Sequence, residues 1–268
     1  MKYGFIGTGC MGGALATACA KAIGPENILL SNRSPEKAQA LAEKLGAIPA
    51  DNETITRDCD VIFLGVKPQT MAQMLLPLQP ILAGRKTPFV LVSMAAGVTI
   101  EALQDMAGGR YPVVRIMPNT ACAVGAGMTT YTCSAEVTDR QRQAVLDALA
   151  ASGLLEKIEE GLMGAASAVA GCGGAYACLF LEGLADGGVL CGLPRKKAQR
   201  MAAQMLLGMA TQALESDEHT GALKDAVCSP AGSTIAGVRK LESMSFRSAA
   251  MEAVIAAWER EREMQQQK

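Results

Sequence analysis

Three glycines at the spacing G-x-G-x-x-G, namely Gly7, Gly9 and Gly12, stand in the run Tyr3-Gly4-Phe5-Ile6-Gly7-Thr8-Gly9-Cys10-Met11-Gly12. A tight turn after a strand needs the first glycine, and approach of backbone amides to a pyrophosphate needs the second. The third lets the following helix pack close to the strand, with its N-terminus facing the anion. The chemistry implied is dinucleotide binding. An NAD site carries Asp or Glu about 20 residues further on, on the ribose 2′-hydroxyl. Here the second strand ends in Leu29-Leu30-Ser31-Asn32-Arg33-Ser34, with no acid. A guanidinium and a hydroxyl suit a 2′-phosphate, so the expected cofactor is NADPH in preference to NADH, with NADH still possible.

Groups for proton transfer are scarce. The single histidine, His219, lies in the polar helix start Asp217-Glu218-His219-Thr220-Gly221, where an exposed or capping role is the plain reading. With this one histidine there is no His cluster and no HExxH motif, and any Ser-His-Asp triad would have to use His219 itself. Tyr176 stands at the start of a Gly-rich helix, where packing competes with acid catalysis. Lys67, after a strand in Gly65-Val66-Lys67-Pro68, would meet cofactor or substrate, or simply solvent. Glu182 and Asp186 form an i, i+4 pair, a poor metal site and more in keeping with capping or pairing at a subunit interface. A ketone or hydroxy-acid dehydrogenase needs an acid or base beside the hydride. A protonated imine already carries its proton and mainly needs orienting.

The elements that would position these residues alternate through the first half. Strands are expected at 3–6, 27–31, 61–65, 89–93, 113–117 and 127–132, and helices at 10–23, 35–45, 69–82, 99–107 and 138–151. Ser34 would cap the second of these, ahead of Pro35 at its first position. This alternation predicts an α/β Rossmann-like domain with a mostly parallel, doubly wound sheet over residues 1–160. From about residue 160 only helical patterns remain, at 161–170, 173–191, 194–215, 219–227, 231–242 and 245–263. They predict an all-α dimerisation and substrate-binding domain over 161–268, with a frayed tail from Glu259. In 194–215 the residues Ala198, Met201, Ala202, Met205, Leu206 and Met209 make a wide apolar stripe. The 173–191 helix is apolar nearly all round, more than one chain would cover, which predicts an obligate oligomer.

Composition narrows the class. The 25 basic and 26 acidic residues nearly cancel, which argues against a nucleic-acid partner. The nine cysteines form no CxxC and mostly sit in apolar runs, as reduced residues of a cytoplasmic protein do. The N-terminal apolar run is broken at Gly7 and Gly9, unlike a signal peptide. The stretch 162–181 is low in charge, but its glycines at 171, 173 and 174 suit a buried soluble helix better than a membrane span.

Over nearly its whole length, from Phe5-Ile6-Gly7 to about Trp258, the chain resembles the Δ1-pyrroline-5-carboxylate reductase family. The carriers are Val66-Lys67-Pro68, Ala95-Ala96-Gly97-Val98, Met117-Pro118-Asn119-Thr120, Ala185-Asp186-Gly187-Gly188 with Gly192-Leu193-Pro194-Arg195, Leu223-Lys224-Asp225 and, above all, Ser229-Pro230-Ala231-Gly232-Ser233-Thr234-Ile235. The resemblance implies hydride transfer from NADPH to a cyclic imino acid, forming proline. It implies that Ile6, Gly7, Thr8, Gly9, Cys10 and Met11 hold the cofactor together with Asn32, Arg33 and Ser34. Asn52, Val66, Lys67 and Pro68 would line the same site, with Ala95 and Ala96 near the nicotinamide end. Asp217, Ser229, Ala231, Gly232, Ser233 and Thr234 would bind substrate. Thr234, facing the ring nitrogen, and Lys67 are the catalytic candidates; no metal is implied. In the family the substrate loop comes from the partner subunit of an interlocked dimer, and dimers often form rings.

The chain departs from the family pattern in Ala170-Gly171-Cys172-Gly173-Gly174-Ala175-Tyr176, which loses two hydroxyls and a proline. It departs again at Cys228, at Ala231 in place of glycine, and at Asp217 in place of glutamate. These changes leave a related cyclic imine open as substrate. Two rivals remain at this point: a β-hydroxyacid-dehydrogenase-like NADP oxidoreductase and an NADP-binding regulatory protein. The first would carry a lysine in the Gly-rich helix, and residues 171–191 contain none.

Overall fold

Phe5 and Phe63 stack at a centroid separation of 4.3 Å on neighbouring strands, at the middle of a sheet buried on both faces. In this computed structural model, which describes residues 1–266, the strands are β1 (Tyr3–Ile6), β2 (Ile28–Ser31), β3 (Ile48–Pro49), β4 (Val61–Leu64), β5 (Val90–Ser93), β6 (Val113–Met117), β7 (Gly127–Cys133) and β8 (Gly153–Lys157). Their order across the sheet is β3-β2-β1-β4-β5-β6-β7-β8, parallel throughout except for the antiparallel β6–β7 pair. The expected α/β Rossmann-like class is what the chain adopts. Continuous apolar runs such as Val61-Ile62-Phe63-Leu64 are fully buried, as strands covered on both faces must be.

The helices packed with this sheet are α1 (Cys10–Ile23), α2 (Pro35–Leu45), α3 (Asn52–Asp58), α4 (Pro68–Leu75), α5 (Gln79–Gly84), α6 (Ile100–Ala107), α7 (Asp139–Leu149) and α8 (Met163–Ala166). α8 continues into a π-helical turn, Ser167–Gly171. Three departures from expectation have plain causes. The helix expected over 69–82 is split at Leu76–Leu78, because Pro77 lacks an N–H to continue the ladder. β3 and α3 are too short to show a period, and β8 is an edge strand with an exposed face. The π-helical turn also breaks the single helix expected over 161–170.

The remaining helices are α9 (Gly173–Leu190), α10 (Arg195–Glu215), α11 (Thr220–Ala226), α12 (Ser233–Ser243) and α13 (Phe246–Gln266). The tail is helical rather than frayed through Gln266, with Glu261 buried within it; Gln267 and Lys268 lie outside the described residues.

Two compact units result: Met1–Cys172 with the chain from Ala257 onward, and Gly173–Ala256. In the second unit α9 and α10 approach closely, because a Cβ on Gly188 would already lie 3.1 Å from Ala198. Among its described residues only Ala185, Ala198, Ala202 and Leu223 are buried, while Leu179, Leu190 and Leu214 are about 69%, 89% and 76% exposed. This unit has a seam of small side chains and no large core of its own. The segment Glu160–Leu190 is, by length and composition, apolar enough to cross a membrane.

Candidate active site

In register across the sheet, Ser31, Ile6, Leu64, Ser93 and Arg115 form one row near the carboxyl ends of five parallel strands. The chain crosses from one side of β1 to the other between β3 and β4, so the switch point falls between β1 and β4. Ligands of doubly wound sheets bind in the crevice outside such a point. Residues of the predicted cofactor set follow this row directly: 7–11 after β1, 32–34 after β2, 66–68 after β4, and 95–96 after β5.

The glycine turn is built as its spacing requires. Gly7 has φ +97° and donates from its N–H to Ser31 O at 2.9 Å. A Cβ on Gly12 would run into Gly7 O, and one on Gly65 would meet the same carbonyl. Above Gly9 there is nothing within 4 Å, so its face is open. α1 begins there with no side-chain cap and no acid in its first turn, leaving its first amides and the positive dipole end for an anion. Thr8 Oγ1 is buried without a partner. These features fit the pyrophosphate of a dinucleotide.

The candidate adenosine side is assembled by an interaction the sequence does not announce. Asn52, first residue of α3, accepts from the Ser31 hydroxyl at 2.5 Å, bringing it beside Asn32, Arg33 and Ser34. Asp51 caps α3 through Thr54 N–H, and that amide holds the exposed Asp51 carboxyl below the usual range. Ser34 occupies the N-cap position of α2, but its hydroxyl makes no capping bond. The expected cap is therefore absent and the hydroxyl is free for a phosphate. Arg33 is exposed, with no ion pair among the described residues.

Lys67 is exposed at the N-cap of α4, ahead of Pro68. Ala95 is buried and Ala96 exposed, in a turn completed by Gly97 at φ +70°. Asn119, at the end of β6, was given no role by sequence reasoning although its motif was noticed. It donates from Nδ2 to Ala170 O at 3.1 Å and accepts from Met128 N–H at 3.3 Å, tying the π-helical turn to β7.

In the second unit Ser229-Pro230-Ala231-Gly232 is a turn closed by Gly232 N–H to Ser229 O at 3.0 Å. Ala231 sits in its third position at φ +58°, a left-handed backbone that costs a non-glycine residue about 1–2 kcal/mol. A Cβ on Gly232 would lie 2.5 Å from Ser229 Oγ, so only glycine admits that hydroxyl. Gly232 is the N-cap of α12, which has no capping side chain and no acid in its first turn. Ser229, Ser233 and Thr234 thus stand at or beside uncapped amides, hydroxyl-bearing residues suited to a carboxylate. Asp217 is exposed in the loop between α10 and α11.

Other candidates fall to structural roles. His219 Nδ1 accepts from Gly221 N–H at 3.0 Å, capping α11. The Tyr176 hydroxyl donates to Ala253 O at 3.0 Å. Asp186 pairs with Arg195, and no group of three metal-ligating side chains occurs among the described residues. Burial pushes the Cys59 thiol up to about 12 and raises Cys19 and Cys133 as well, so these sulfurs stay protonated.

A switch-point glycine turn, an uncapped helix start and a free Arg33 with Ser34 define an NADP-dependent oxidoreductase. The comparisons with known proteins are more specific. Residues 160–264 match the family model for pyrroline-5-carboxylate reductase dimerisation, and residues 2–97 match that of the NADP oxidoreductases described as coenzyme F420-dependent. A pyrroline-5-carboxylate reductase of Methanosarcina acetivorans is 40% identical over 98% of this chain and 97% of its own length. The Escherichia coli enzyme is 38% identical over 97% and 96%. A Plasmodium falciparum pyrroline carboxylate reductase solved with NADP bound superposes with a TM-score of 0.87 at 34% identity, covering 99% of this chain and 98% of the other. The chain belongs to the pyrroline-5-carboxylate reductase family.

Proposed function

We propose that this chain reduces Δ1-pyrroline-5-carboxylate to L-proline at the expense of NADPH. The observation that carries this reading is similarity along the full length, through both units, to enzymes named for that substrate. Bound NADPH supplies the hydride that adds to the C=N carbon. The amides of Gly9 to Met11 and the Thr8 hydroxyl hold the pyrophosphate, and Arg33, Ser34, Asn32 and Asn52 hold the phosphorylated adenosine. Ile6, Val66, Lys67, Pro68, Ala95 and Ala96 enclose the path to the nicotinamide end.

The substrate carboxylate sits at the start of α12, on Ser229, Ser233 and the amides after Ala231 and Gly232. Thr234 orients the ring nitrogen and Asp217 faces the same side. No residue has to supply a strong acid, because the iminium already bears its proton. The apolar faces of the second unit are covered by a second copy in a homodimer that builds rings, rather than by lipid, and the free cysteines suit a reducing cytoplasm. NADPH consumption measured with pyrroline-5-carboxylate, its six-membered analogue and small 2- and 3-oxo acids tests the reaction. Turnover should be confined to the imines; turnover with oxo acids alone overturns it.

A further inference from the structure

Beneath the nicotinamide side of the sheet lie charges the reaction does not use. Arg115 of β6 is on the row shared with Ser93 and is 3% exposed. Its guanidinium meets Glu160 Oε1 at 3.2 Å, and the same oxygen accepts from Ile100 N–H at 2.7 Å. Arg115 Nε is buried without a partner. Glu261, on the returning end of α13, is 7% exposed; Ser167 hydrogen-bonds its carboxyl, and its Oε1 is also unpartnered. Gly164 of α8 faces this end of α13, where an added Cβ would be in ordinary contact, 3.5 Å from Trp258 and 3.9 Å from the Glu261 carboxyl carbon. Buried polar atoms left unpaired in a native protein call for a functional account.

Ser167 links these charges to one element. Ser167 opens the π-helical turn, and Asn119 holds the carbonyl of Ala170 near its other end. Such turns recur at functional sites and give up ordinary helical bonding to stay in place. We propose that Glu261 is a positioning residue, which with Ser167 and Arg115 clamps the π-helical turn against the β6 end of the sheet and so fixes the wall beside the nicotinamide. This rests on the reading that the nicotinamide end lies beyond β5.

The charged groups facing Glu261 are Arg115 from β6 and, through it, Glu160; Ser167 adds a hydroxyl, and Arg262 on its own helix stacks over Trp258 instead. Burial raises the Glu261 carboxyl above its ordinary value, against the opposing pull of Ser167 and Arg115, so folding favours its neutral form. When the carboxyl ionises, two carboxylates compete for one guanidinium. The clamp is therefore strongest at acid pH and weakens as pH rises through the folded value.

The experiment measures kcat, KM and their pH dependence for Glu261→Gln, Glu261→Ala and Ser167→Ala, with amide exchange across residues 167–172. Glu261→Ala and Ser167→Ala should lower kcat by about tenfold while KM for NADPH stays within about twofold. Glu261→Gln, which keeps a neutral hydrogen-bonding group, should retain wild-type kcat and lose its decline at high pH. If Glu261→Ala does not fold, the Gln and Ser167 variants still decide. An unchanged pH profile in Glu261→Gln, or unchanged exchange and kcat in Ser167→Ala, overturns the proposal. Should the wild type reduce no imine, the reaction assigned above is what fails. The clamp is then judged by exchange alone, which Ser167→Ala must accelerate about tenfold or more.

Discussion

We propose that Arg33 carries the coenzyme choice. It is exposed and unpaired where an NAD enzyme would place an acid, with the unbonded Ser34 hydroxyl beside it. A charge-assisted contact to the 2′-phosphate is worth roughly 1.5–3 kcal/mol. Arg33→Glu should therefore erode or reverse the preference for NADPH over NADH, read as the ratio of kcat/KM values; an unchanged ratio removes Arg33 from the site. At the proposed carboxylate site, Ser229→Ala and Thr234→Ala should raise KM or lower kcat for the imine. NADPH binding should barely change, and a loss of cofactor affinity alone would contradict the assignment. The Gly motif and Arg33 are legible in the sequence because each acts through its own backbone or its place at a strand end. Asn52 and Glu261 are not, because their meaning lies in partners 21 and 94 positions away, Ser31 and Ser167, brought together only by folding.

Among elements, the β1–α1 turn separates two uses of glycine. Gly12 is filled by neighbouring backbone, whereas Gly9 faces open space at ordinary φ. Gly12→Ala should destabilise the protein by about 1–3 kcal/mol in denaturant unfolding, as overpacking does. Gly9→Ala should cost less, about 0.5–1 kcal/mol, because alanine is a poorer N-cap than glycine. Yet it should weaken NADPH binding about tenfold or more, because the added methyl fills the approach of the pyrophosphate. Equal stability losses for the two variants would place both glycines in packing. The long buried strands and the helices with caps, such as α7 with its Thr138–Gln141 box, are readable beforehand. β3, α3 and the π-helical turn are not, since two to seven residues carry too little periodicity.

At the scale of the whole molecule, the exposed apolar faces of the second unit fit the dimerisation family it matches. Burying a leucine contributes about 1.5–3 kcal/mol, and α9 alone exposes Leu179, Leu184 and Leu190. Leu179→Arg should shift sedimentation from dimer to monomer and depress imine turnover far more than NADPH affinity. A wild-type monomer, or a dimer unaffected by the change, would place the contact elsewhere. The aromatic shortage, 4% of residues, belongs to this architecture, since alanine and glycine seams let α9 and α10 approach.

One feature of the chain's path bears on its birth. The dinucleotide unit takes its final piece from Ala257 onward, after the whole of the helical unit has been made. On a ribosome adding roughly 5–20 residues per second, the first 172 residues wait several seconds for Glu261 to emerge and meet Arg115. Until then a buried cation lacks one of its neighbours. A chain cut short after α12 lacks Glu261, so the first 172 residues hold Arg115 without that neighbour.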